Sequence, residues 1–181
     1  MVSRVARLAL ILPTLVVAFS SAQAQTAPPI KPGLWEIKSE REVDGKKAAE
    51  PSEQMKNLPP EMRAKVEAMM KEKGVGMGED GVNRICLSRE SLDQGRWQSQ
   101  SENCKTEFTS RTTSSWKWHS VCTRPDSESD GEAAFANSES YTVKTHTKTK
   151  FQGQDRLSRM AIAAKWVGNN CGDIKPVQPK P

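Results

Sequence analysis

The stretch CKTEFTSRTTSSWKWHSVCT, Cys104 to Thr123, constrains the fold more than any other part of the chain. Two runs of alternating side chains flank the polar turn TTSS, with a cysteine at the outer end of each. By the two-residue period of a strand, Cys104, Thr106, Phe108 and Ser110 share one face, and Trp116, Trp118, Ser120 and Cys122 share another. An antiparallel hairpin centred on Thr113, with Cys104 opposite Cys122, sets Phe108 against Trp118 and Ser110 against Trp116. All the large apolar side chains then lie on one side, and a slip of one residue would scatter them. Directly opposed Cα atoms in a non-hydrogen-bonded pair stand about 4.5 Å apart, close enough for a disulfide.

That pairing leaves Cys86 to Cys171, the cysteine of the terminal stretch WVGNNCGD. It is the favoured one of the three connectivities that four cysteines permit. A four-cysteine zinc site normally draws on closely spaced pairs. Here the intervals are 18, 18 and 49 residues, so two disulfides are the better reading.

Disulfides need an oxidising compartment, and the start of the chain supplies a route to one. Arg4 and Arg7 precede the uncharged run Leu8 to Phe19, and Ala22 and Ala24 set small residues before Gln25. This is the pattern of a secretory signal peptide cleaved after Ala24, and the run is too short to span a bilayer core of about 30 Å. No other stretch is long and apolar enough to be transmembrane. The expected divisions are a signal peptide over 1–24, an extended lead-in over 25–32, one β-rich domain over 33–176 and a tail over 177–181. Loss of Arg4 and Arg7 lowers the formal net charge from +5 to about +3, too mild a balance to imply nucleic acid or an anionic membrane.

GLWEIKSEREV alternates as a first strand, with DGKK as its turn. NLPPEMRAKVEAMMKEKG predicts a helix, with Asn57 as a cap, prolines in the first turn and Gly74 past the end. Leu58, Met62, Val66, Met69 and Met70 form its apolar stripe, and Glu61 with Lys65 and Glu67 with Lys71 are spaced as ion pairs. GVGMGEDG reads as a flexible connection, and LSRESLDQG as a short helical turn opened by Ser88. From Cys104 onward the alternating runs follow one another at the spacing of an antiparallel meander.

Candidate chemistry is sparse. His119 and His146 are the only two histidines, and neither has a second histidine or a carboxylate at metal-ligand spacing, so both read as solvated surface groups. The serines lack a positioned base, and no Gly-x-Ser-x-Gly occurs. Met62, Met69 and Met70 read first as core packing; the alternatives are a surface for an apolar ligand or partner, or soft ligands for copper. Lys144, His146, Lys148 and Lys150 share one face. That row could meet an anionic head group, a polyanion or an acidic protein, but reads first as an edge or solvent-facing strand whose lysines discourage aggregation. No catalytic, metal or cofactor residue is assigned, and the disulfide residues are Cys86, Cys104, Cys122 and Cys171.

KPGLWEIKSE, ICLSRESL, the cysteines at 104 and 122, and AKWVGNNCGDIKP together resemble an exported proteobacterial family of uncharacterised proteins, domain of unknown function 3617. The resemblance runs from Ile30 to Pro176, and its most specific parts are the Pro-Gly-Leu-Trp opening and the Trp-x-Gly-x-x-Cys-Gly ending. It implies a small periplasmic domain and carries no catalytic or ligand residues.

The expected fold is α+β and mainly β: a curved antiparallel sheet, open or a partial barrel, with one amphipathic helix and two disulfides. The expected function is that of a non-enzymatic periplasmic protein that binds an apolar or amphiphilic, lipid-like ligand or an envelope protein, and no nucleic acid. Copper handling through the methionines is one alternative. An enzyme of unrecognised type is another, and would need a pocket that brings His119 or His146 near a carboxylate.

Overall fold

The computed structural model describes residues 27–49, 55–78, 82–93 and 103–177. The signal peptide, its cleavage point and residues 178–181 lie outside them. The elements are β1 (Gly33–Val43), β2 (Lys46–Lys47), α1 (Pro60–Glu72), β3 (Val75–Met77), β4 (Asn83–Leu87), α2 (Arg89–Asp93), β5 (Cys104–Arg111), β6 (Ser115–Thr123), β7 (Asp126–Asn137), β8 (Ser140–Phe151) and β9 (Gln154–Gly168). All the strands join one antiparallel sheet in the order β3-β4-β1-β9-β8-β7-β6-β5, with β2 on β1. The mainly β, antiparallel class is as expected, and the sheet does not close into a barrel.

Both expected disulfides are present. Cys104–Cys122 spans the β5–β6 hairpin with Cα atoms 4.0 Å apart, and Cys86–Cys171 ties β4 to the segment after β9. Phe108 pairs with Trp118, but the register shifts beyond Phe108, so Arg111 rather than Ser110 stands opposite Trp116. The extra residue is a β-bulge. It brings the Arg111 guanidinium over the Phe108 ring, 3.6 Å from its centroid, and 4.8 Å from that of Trp116.

The core is an aromatic belt laid across the strands on one face of the sheet, here called the inner face. Ring centroids run Trp35–Tyr141 5.1 Å, Tyr141–Phe135 6.3 Å, Phe135–Trp116 5.7 Å and Trp116–Phe108 5.6 Å. Trp35 on β1 and Tyr141 on β8 meet across β9, where the small, buried Ala164 leaves them room. Leu92 of α2, Leu87 of β4 and Ile30 of the lead-in complete the cluster. Ser88 caps α2 as expected, its hydroxyl accepting the Ser91 backbone N–H at 3.0 Å.

The lead-in also joins the two ends of the chain. The carbonyl of Lys31 accepts the Trp35 indole N–H, and that of Pro32 accepts the Trp166 indole N–H, each at 3.0 Å. Gly33 between them has φ 127°, and a Cβ there would lie 2.3 Å from the Gly168 carbonyl oxygen. Only glycine fits so close an approach.

Four local expectations are corrected. The glycine-rich GVGMGEDG is not merely a connection: Val75–Met77 pairs with β4, and Gly76 lets Ile174 pack against it. Helix α1 does not bury its apolar stripe. No residue of it is buried; Met62 is 53% exposed and Met69 58%, while Val66 and Met70 are half-buried. The reason is position. The helix packs on β3, an edge strand of three residues, while the aromatic belt, Leu92 and Ile30 already form the core cluster. Polar groups hold it instead: Arg63 donates to the carbonyls of Met55, Lys56 and Leu58, Lys71 pairs with Asp173, and Lys175 with Glu72. Asn57 makes no side-chain cap, the N-cap being Pro59, and Lys71 reaches Asp173 rather than Glu67.

Candidate functional site on the open half of the inner face

Strands β7, β8 and β9 are longer than the aromatic belt is wide. Along β8 the inner positions are Tyr141 and Val143, both buried, then half-buried Thr145, Thr147 and Thr149, then Phe151 at 55% exposure. Along β7 they are Phe135, Ala133 and Gly131, then Ser129 and Ser127. Gly131 marks the boundary, because a Cβ there would lie 2.1 Å from Trp118 Cε2. The indole therefore lies against the bare backbone of β7 and closes the belt.

Beyond that boundary the inner face is lined by hydroxyls. The registers align Thr106, Ser120, Ser129, Thr147 and Ser158 in one row across β5 to β9. Thr106 and Ser120 share a hydrogen bond of 2.9 Å, and Ser129 and Thr147 one of 3.0 Å. A hydroxyl offers one donor and two acceptor sites; Ser129, Thr147 and Ser158 are half-buried and Thr106 exposed, while Ser120 is buried. The next row runs from the Cys104–Cys122 disulfide through Ser127 and Thr149 to Arg156. Met160, 37% exposed, stands beside Thr145 on the belt side of the hydroxyl row, and exposed Phe151, opposite Gln154, marks the far rim. At that rim Arg156 pairs with Asp44 at 2.9 Å. The Leu157 backbone N–H and then the Arg156 guanidinium hold the Asp44 carboxyl below the usual carboxylate range.

On β7 and β8 the charged side chains lie on the other face. Lys144 stands opposite Glu132, His146 opposite Asp130 and Lys148 opposite Glu128, and Lys150 lies 3.9 Å from Asp126. The cationic row is solvent-facing, but β8 is interior to the sheet and not an edge. A row of carboxylates on β7 faces it across the register, but Lys148 makes its ion pair with Asp155 of β9, at 2.7 Å. Both histidines flank Asp130, His119 on β6 and His146 on β8. His119 Nδ1 lies 3.0 Å from Asp130 and Nε2 3.4 Å from Glu128. The hydrogen bond to Asp130 raises its pKa, opposed by partial burial and aided by the charges of Asp130, Glu128 and Glu107. So a histidine does stand near carboxylates, but on the solvent face, away from every inner-face hydroxyl. Among the described residues no group of three or more His, Cys, Asp or Glu side chains is gathered to hold a metal ion.

Of the residues singled out in the sequence, the four cysteines pair as expected, and Lys144, His146, Lys148 and Lys150 lie together. Met62 and Met69 lie on the exposed side of α1. One strand's share of the hydroxyl row has a signal in the sequence: in SYTVKTHTKTKF the threonines alternate with the lysines and His146.

The family model described as Protein of unknown function (DUF3617) matches residues 30–171. The chain is also 34% identical over 140 residues to a Pseudomonas putida protein named as an uncharacterised protein in the lpd-3 5′ region, covering 74% of this chain and 96% of that one. No solved structure matches. Among the described residues no helix is long and apolar enough to cross a membrane.

Proposed function

We propose that this chain, which belongs to the DUF3617 family of proteins of unknown function, is a non-enzymatic periplasmic protein that binds an amphiphilic ligand on the open half of its inner face. One observation carries the reading. A domain of this size needs its inner face for a core, yet on β8 that face holds two buried side chains, Tyr141 and Val143, and then turns to half-exposed threonines and an exposed Phe151. Ser129, Thr147 and Ser158, each half-buried, supply uncharged donors and acceptors for a polar head group, and Phe151 and Met160 supply apolar contact for the start of a chain. Placing a few convergent polar groups beside apolar surface is the usual composition of a ligand site. Export rests on the pattern at the chain's start and agrees with four cysteines held as two disulfides. Against enzymatic chemistry stands the separation of both histidines, on the other face, from the inner-face hydroxyls.

The test is native mass spectrometry of the protein purified from the cell envelope, together with thermal shift on adding lysophosphatidylcholine. A bound amphiphile, or a rise in melting temperature that Thr147→Arg abolishes, is the expected result. No adduct and no shift would refute the ligand reading.

A further inference from the structure

Helix α1 carries two side chains that neither the core nor the inner face uses. Met62 is 53% exposed and Met69 58%, whereas Met55, just before the helix, is 8% exposed. Spaced seven residues apart, they fall on one stripe of the helix. We propose that Met62 and Met69 form a reversible oxidation site, each taking one oxygen atom from a small two-electron oxidant such as hydrogen peroxide.

Three observations converge on this assignment. All four cysteines are sealed in disulfides, so no thiolate competes for the oxidant and the thioethers are the next most reactive sulfur. Exposure separates Met62 and Met69 from the other methionines of this region: Met55 is buried, and Met70 and Met77 are half-buried. The helix is held by the contacts of Arg63, Lys71 and Glu72 with carbonyls, Asp173 and Lys175. A polar sulfoxide at 62 or 69 therefore disturbs no packing that holds the helix in place.

The chemistry balances without a further reactant. A lone pair on the methionine sulfur attacks one peroxide oxygen, the S–O bond forms as the O–O bond breaks, and the other oxygen leaves as water after proton transfer. Sulfur loses two electrons and the peroxide gains them. Methionine sulfoxide reductases return the thioether. The stripe thereby changes between apolar and polar while the fold is kept.

The test is a time course of the mature protein in dilute hydrogen peroxide, followed by peptide mapping and melting curves. Met62 and Met69 should each gain one oxygen at least roughly tenfold faster than Met55, with Met160 between them. The melting temperature should stay put, and the two epimer-specific reductases should restore the original mass. The double variant Met62→Leu, Met69→Leu should lose the two fast additions. The pair Met62→Gln, Met69→Gln, which imitates the polarity of the sulfoxides, should melt like the parent. Oxidation of Met55 as fast as Met62 or Met69, or a melting temperature that falls in step with their oxidation or in the glutamine pair, would overturn the proposal.

Discussion

Trp166 donates its indole N–H to the carbonyl of Pro32 at 3.0 Å, joining residues 134 apart in sequence. Lys31 lies 4.8 Å from the centroid of the same indole, and Gly33 approaches the backbone at Gly168. The Pro-Gly-Leu-Trp opening and the Trp-x-Gly-x-x-Cys ending are thus two halves of one contact. Gly33→Ala puts a methyl group 2.3 Å from a carbonyl oxygen at a φ of 127°, and should destabilise by at least about 2 kcal/mol. Trp166→Phe keeps most of the ring but strands the acceptor, and should cost about 1 kcal/mol. Urea unfolding of both variants checks the order.

The two disulfides should differ in weight. Cys86–Cys171 closes a separation of 85 residues and Cys104–Cys122 one of 18. On the chain-entropy relation these correspond to about 4.5 and about 3 kcal/mol. Paired alanine substitution at 86 and 171 should therefore lower stability more than the pair at 104 and 122, by about 1.4 kcal/mol. Equal losses in denaturant melts would point to native-state contacts rather than loop closure.

His119 gives the fold a pH dependence whose sign is fixed by its partners. Its hydrogen bond to Asp130 raises its pKa above the ordinary 6.5. A raised histidine contributes stability that is fully present below the unfolded value and is lost as pH rises through the folded one. Imidazole titration by NMR should place His119 above 6.5, and Asp130→Asn should lower it. The parent should lose more stability than Asp130→Asn between about pH 6 and pH 8. An unchanged His119 titration in the variant would contradict the pairing.

Much of this was legible in the residues. The alternation around TTSS fixes which faces of β5 and β6 meet, because burial of Phe108, Trp116 and Trp118 tolerates no slip. The bulge before Ser110 had no local signal; it is visible only through Arg111 stacking on Phe108. The periodicity of α1 located its apolar stripe but could not say what would cover it, and a short edge strand covers little. The carboxylates that stand opposite Lys144 and Lys148 and beside Lys150, and the shared position of both histidines beside Asp130, depend on cross-strand register, which single-strand patterns do not contain. The hydroxyl row is hidden for the same reason, since each of its members comes from a different strand.

The most direct test of the inner-face site is an amide NMR titration of the mature protein with lysophosphatidylcholine. Binding at that site predicts shifts concentrated at Ser129, Thr145, Thr147, Ser158 and Met160, with α1 and the charged outer face unmoved. Shifts confined to α1 or to the outer face, or none at saturating ligand, would contradict it.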